Sequence, residues 1–188
     1  MSERPRRRDA VVNRERILEA AVAVFAERGY AVPVAELAEA AGVGVGTFYR
    51  SFPDRSALLV ELGVRAWSAL DAMLDRIDGE GLTGLAAVRA FLLGSREIGD
   101  RLVLPLHGAP PVHSPEASAG RQRIHERVGA HVEQARADGA FADDVTTEDV
   151  ILCGALVARP TRSGPFWDQA LRRHVELFLA GLAPGCGA

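Results

Sequence analysis

Apolar residues recur three and four positions apart along most of this chain, and no segment alternates apolar with polar residues as a half-buried strand would. That periodicity restricts the chain to an all-α fold. In "NRERILEAAVAVFAERG" the stripe is Ile17, Leu18, Ala21, Val24, Phe25 and Arg28, and Gly29 stands where a helix ends. "VAELAEAAG" predicts a short helix with Val34, Leu37, Ala38 and Ala41 inward and Gly42 at its end. Pro33 suits the start of that helix. "VGTFYRSF" predicts another short helix. A long one is expected from Pro53, burying Leu58, Leu59, Leu62, Ala66, Leu70, Met73, Leu74 and Ile77, until Gly79–Gly81 breaks it. Further helices are expected from Leu85 to about Leu104, from Glu116 to Ala137, over Val150–Ala158 and from Phe166 to about Leu182. Thr146 or Thr147 can cap the third of these. Val150–Ala158 is apolar on every side, so burial all round is expected of it. The last helix is expected to bury Phe166, Ala170, Leu171, Val175, Phe178, Leu179 and Leu182.

Composition narrows the function classes. The chain has 188 residues, 48% of them hydrophobic and 25% charged, which is a globular profile. The net charge is -3, so the chain as a whole is no polycation. Its charge is uneven, however: Arg4, Arg6, Arg7 and Arg8 face Glu3 alone in the first eight residues. A basic arm on a mildly acidic protein points to an anionic partner at the N-terminal end, or to a solvated tail. All 22 basic residues are arginine. The two cysteines, Cys153 and Cys186, make neither a metal pair nor a disulfide framework. No apolar signal segment opens the chain, and the nine-residue run Val150–Ala158 is too short to span a bilayer. A cytoplasmic protein without membrane association is the expectation. His125 and His131 lie six apart and do not share a helix face as zinc ligands do, so no metal or other cofactor is expected.

The densest feature is "GVGVGTFYRSF", Gly42–Phe52, with three glycines in five residues. As a dinucleotide loop it fails, because the third glycine position holds Thr47 and a helix precedes it instead of a strand. As a Walker loop it fails for want of lysine. As a turn it fits: two short helices about three residues apart have helix-turn-helix spacing, and the second of such a pair can enter the DNA major groove. Gly42 then supplies the left-handed residue of the turn, and Gly44 the N-cap of the second helix. Phe48 and Phe52 are expected in the core.

From Asn13 to Leu62 the chain resembles the TetR-type (AcrR-like) transcriptional regulators, through "RILEAAVAVFAERGY" and "ELAEAAGVGVGTFYRSFPDRSALL". The resemblance implies that residues 1–56 form a helix-turn-helix DNA-binding domain with a basic N-terminal arm, and residues 57–188 a helical effector-binding and dimerisation domain. It implies that the Tyr49 hydroxyl contacts a DNA phosphate, that Thr47 bonds phosphate or a base edge, that Arg55 grips the DNA backbone, and that Val45, Gly46 and Arg50 lie where base edges are read. Arginine and hydroxyl groups suit such contacts. The chain departs from the family at Gly44, where a serine cap is common, and at Pro33, Val34 and Ala35, where a hydroxyl and a basic residue are common. Arg6, Arg7 and Arg8 are expected to compensate by gripping the backbone or the minor groove.

The resemblance also implies a small-molecule effector and a homodimer through the last two helices that reads a palindromic operator in double-stranded DNA. Candidate walls of an effector pocket are Trp67, Leu70, Met73, Phe91, Arg101, Leu102, His107 and Val157. Each of them also fits plain core or surface. No nucleophile elbow or partnered acid-base pair is present, so an enzyme is not expected. The expected function is a ligand-responsive, sequence-specific regulator, a repressor released by a small molecule. The alternatives are an activator of the same family or a helical small-molecule binding protein without DNA affinity.

Overall fold

Eight helices and no strand make up the described residues, which are 3–99, 114–159 and 164–185 of the computed structural model, with side chains from Asp9 onward. They are α1 (Glu3–Arg28), α2 (Val34–Ala40), α3 (Val45–Ser51), α4 (Arg55–Gly79), α5 (Gly84–Glu97), α6 (Pro115–Ala137), α7 (Thr147–Ala158) and α8 (Pro165–Gly181). The chain is all-α, as its periodicity requires. The fifth helix ends at Glu97, with Ile98 as its C-cap, short of the expected Leu104; residues 100–104 and most of the loop expected over Pro105–Pro115 lie outside the described residues.

Contacts divide the chain into two compact units, one including residues up to Ala66 and the other including Trp67–Gly99 and the residues from Ser118 on. In the first unit α1, α2 and α3 pack on one another. Ile17, Leu18, Ala21, Phe25, Leu37, Ala38, Phe48, Phe52, Leu58 and Leu62 are buried there in one cluster. In the second unit α5 packs against α7 and α8. Every position expected on the buried face of α4, from Leu58 to Ile77, is buried.

Local chemistry sets the helix ends. Gly42, at φ +63°, takes the left-handed conformation that turns the chain from α2 into α3, and Gly44 enters α3 extended, as its N-cap. Neither α2 nor α3 has a side-chain cap, because Pro33 and Gly44 offer no acceptor. The long helix begins at Arg55 and not at Pro53. Asp54 sets that boundary, because its carboxylate accepts from the amide of Ala57 at 2.8 Å. Thr146 caps α7 in a reciprocal capping box with Asp149, whose side chain accepts from the Thr146 amide at 2.8 Å. Those bonds hold the Asp149 carboxyl below its ordinary range.

Three expectations need correction. The N-terminal basic stretch is not a free arm in its backbone, because α1 extends through it to Glu3. The run Val150–Ala158 is not buried all round. Val150, Cys153, Val157 and Ala158 face inward, whereas Leu152 is 62% exposed and Leu156 59%. Helix α8 buries only Val175 and Leu179 fully, and Phe166 at its start is 71% exposed. Both helices are thus amphipathic by contact although α7 is apolar by composition.

Candidate nucleic-acid interface

Helix α3 is two turns long, and its two faces are chemically distinct. Phe48 and Phe52 are fully buried, their rings 6.0 Å apart, and they seat the helix in the core of the first unit. The opposite face is open: Val45 is 44% exposed and Tyr49 49%, and Gly46 and Arg50 are exposed beside them. Residues 45 and 49, like 46 and 50, are four apart, so the open positions form one continuous patch. Tyr49 packs its ring edge-on against Phe48 at 5.6 Å, which anchors the ring and leaves the phenol outward. Arg50 donates from Nη2 to Oγ1 of the partly exposed Thr47 at 2.7 Å. The five positions expected on α3 therefore stand together on one side of the first unit. The patch carries a guanidinium and two hydroxyls and no carboxylate, a set of groups suited to phosphate oxygens and base edges.

The other expected residues are placed differently. Arg55 is turned inward. It donates to the Val32 carbonyl, and its guanidinium carbon lies 5.4 Å from the Phe25 ring centre and 5.8 Å from that of Tyr30. Its Nη2 is buried without a partner, and burial lowers the arginine's pKa. This is the geometry of a brace between the α1–α2 connection and α4, where sequence reasoning expects a grip on the DNA backbone. The side chains of Arg6, Arg7 and Arg8 lie outside the described residues.

Arg14 and Arg28 both have protein partners. Arg28 pairs with Glu36 at 2.6 Å. Arg14 donates to the Ser51 carbonyl at the end of α3 and to Glu61 of α4. Arg65 makes a bidentate bond to Glu15, both distances 2.7 Å, which holds the Glu15 carboxyl below its ordinary range. No local sequence signal marks Arg14, because its partners lie 37 and 47 positions away.

Of the candidate pocket walls, Leu70, Met73, Phe91 and Val157 are buried and Trp67 is partly buried, all in the second unit. Three of them meet glycines on facing helices. A Cβ on Gly120 would lie 2.7 Å from Trp67, one on Gly94 2.5 Å from the Met73 sulfur, and one on Gly154 3.0 Å from Phe91. Arg101, Leu102 and His107 fall outside the described residues. An open groove of about 310 Å³ lies elsewhere, in the first unit, and Arg16, Glu19, Glu39 and Gly42 are among its walls. Its two carboxylates and its openness do not suit an apolar effector. Among the described residues no helix is long and apolar enough to cross a membrane.

Residues 17–62 match the family described as bacterial regulatory proteins, tetR family. Over 82 residues the chain is 42% identical to the HTH-type transcriptional repressor KstR of Mycobacterium tuberculosis; the match spans 43% of this chain and only 37% of that relative. The fold is similar to that of the TetR family transcriptional regulator PfmR from Thermus thermophilus, at 26% identity and a TM-score of 0.67, covering 92% of this chain and 98% of that one. It is also similar to that of AibR in complex with isovaleryl coenzyme A and operator DNA, at 15% identity and a TM-score of 0.72, covering 92% and 98%.

Proposed function

We propose that the chain is a ligand-responsive, sequence-specific DNA-binding repressor of the TetR type, a reading supported by the match of residues 17–62 to the tetR family of bacterial regulatory proteins. The observation that carries this reading is the open face of α3, where Val45, Gly46, Thr47, Tyr49 and Arg50 are displayed on a helix seated by two buried phenylalanines. Tyr49 and Thr47 hydroxyls set the register on phosphate, and Arg50 reads a guanine edge. The basic start of α1, with Arg6, Arg7 and Arg8, adds backbone attraction.

The reading includes a homodimer through α7 and α8. Leu152, Leu156, Phe166, Trp167 and Leu177 are large apolar side chains left exposed on those two helices. Isolated exposed leucines need no explanation, but five large apolar groups on two helices suit an interface core. A symmetric dimer that reads DNA through two α3 helices binds a palindromic site, with half-sites about 34 Å apart. Residues 1–56 serve as the DNA-binding domain, its core completed by Leu58 and Leu62 at the start of α4, and the remainder of 57–188 as the effector and dimerisation domain. KstR is a repressor, and AibR is seen with both isovaleryl coenzyme A and operator DNA, which supports the same pairing of roles here. The effector would occupy the region around Trp67, Leu70, Met73, Phe91 and Val157 in the second unit. Its binding would favour a state in which the two α3 helices no longer match one duplex. The site of action is the cytoplasm.

Selection of duplexes from a random pool by the purified protein, followed by mobility shift, tests this. The expected result is a palindromic consensus bound by a dimer. Failure to enrich any duplex at low salt would remove the DNA-binding reading.

A further inference from the structure

Two turns of helix hold their own geometry poorly, and α3 has no side-chain cap at its start. Its attitude depends on what it sits on and on what meets its end. Phe48 and Phe52 provide the seat. At the end, Arg14 of α1 donates from Nη1 to the carbonyl of Ser51, the last residue of α3, and from Nη2 to the carboxylate of Glu61 on α4. Its guanidinium also lies 4.2 Å over the Phe52 ring. Three contacts, two at the end of α3 and one on α4, fix one planar fork.

That fork belongs to a larger network. Glu61 accepts from Arg65 at 3.0 Å, and Arg65 is bidentate on Glu15 of α1. Glu15, Arg65, Glu61 and Arg14 thus form an alternating chain of charge between α1 and α4. Arg14 carries it to the C-terminal carbonyl of α3, where a cation complements the helix dipole. A lysine could not make both bonds in the same plane while stacking on Phe52.

We propose that Arg14 is the positioning residue that sets the angle at which α3 is presented to DNA, acting through the Ser51 carbonyl and Glu61 and not by touching a phosphate. The inference rests on the DNA-binding reading above. Its charge is matched by Glu61, and its donors are directed at protein acceptors. Arg50 on the open face differs: among the described residues its protein acceptor is the neutral Thr47 hydroxyl.

The full-length protein, a duplex selected by it from a random pool and an unrelated duplex of equal length form the test. Binding to both is measured over a range of salt for the wild type, Arg14→Gln, Arg14→Lys, Glu61→Gln and the double variant Arg14→Gln with Glu61→Gln. Misaligned readout should weaken the selected duplex by about tenfold in both single neutral variants while the unrelated duplex changes little. The double variant should be no worse than either single one, because both break the same fork. Arg14→Lys should recover part of the loss, and the salt slope should stay that of the wild type. Unchanged affinity of Arg14→Gln for the selected duplex would overturn the proposal. So would a salt slope lowered by about one per subunit together with tighter binding by Glu61→Gln, because that pattern marks a phosphate ligand. An equal loss on both duplexes, tracking a lowered melting temperature, would reduce Arg14 to a stability role and equally overturn it. A wild type that enriches no duplex at all would instead sink the DNA-binding reading.

Discussion

Tyr49 and Arg50 sit side by side on α3 yet have different work under the proposed function, and single substitutions separate them. Tyr49→Phe keeps the ring against Phe48 and removes only the hydroxyl. It should weaken every duplex alike, by about 1 kcal/mol per subunit. Arg50→Ala should instead relax sequence preference, with discrimination at one position per half-site falling by about 1–3 kcal/mol. Competition mobility shifts on the selected duplex and its single-base variants measure both. Phe48 and Phe52 are readable in the sequence as core because their spacing of four places them on one face. The inward turn of Arg55 is not readable. Its acceptor is a main-chain carbonyl 23 positions away, and a backbone acceptor carries no residue identity.

At the scale of elements, the decisive local features are a turn and a cap. Gly42→Ala forces a side chain into the left-handed region at φ +63°, and its Cβ would lie 2.6 Å from the Arg16 guanidinium. Arginine can move aside, so the backbone strain dominates. A loss of about 1–2 kcal/mol in chemical denaturation is expected, together with weaker DNA binding because this turn aims α3. Thr146→Val removes one half of the capping box of α7 and should cost about 1 kcal/mol, with α3 and DNA affinity unaffected. Both features are legible in the sequence, because turns and caps are made by residues a few positions apart. The start of α4 was displaced by two residues for the same kind of reason: Asp54 is a better cap than Pro53 is a start.

For the whole molecule, the exposed apolar faces of α7 and α8 and the charge pairing of the second unit lead to two expectations. Leu152→Glu with Leu156→Glu should leave the fold intact, because both side chains are already more than half exposed. If these helices form the proposed interface, sedimentation should shift from dimer to monomer and affinity for a palindromic duplex should collapse. In the second unit, Arg127 of α6 bonds Asp71 at 2.7 Å, Asp75 at 2.8 Å and Asp78 at 2.6 Å, three carboxylates of α4, and His131 reaches Asp78 at 3.0 Å. Its bond from Arg127 holds the Asp78 carboxyl below its ordinary value near 3.8. A carboxyl lowered on folding contributes stability in full above its ordinary value and loses it as the pH falls through the folded value. Asp78→Asn should therefore cost about 0.5 kcal/mol at neutral pH, because the group is half exposed, and should flatten the fall of melting temperature below pH ~4.

The amino-acid sequence by itself determined the helical class, the buried face of α4, the seat of α3 and the turn that precedes it. Each of these is encoded by spacing within a few residues, where helix geometry leaves little freedom. Tertiary structure alone decided that Arg14 and Arg55 spend their charge on the protein, and which face of α7 is covered. Those outcomes depend on which distant carbonyl, carboxylate or apolar face a side chain meets. That meeting is set by the packing of whole helices, which no periodicity along the chain records.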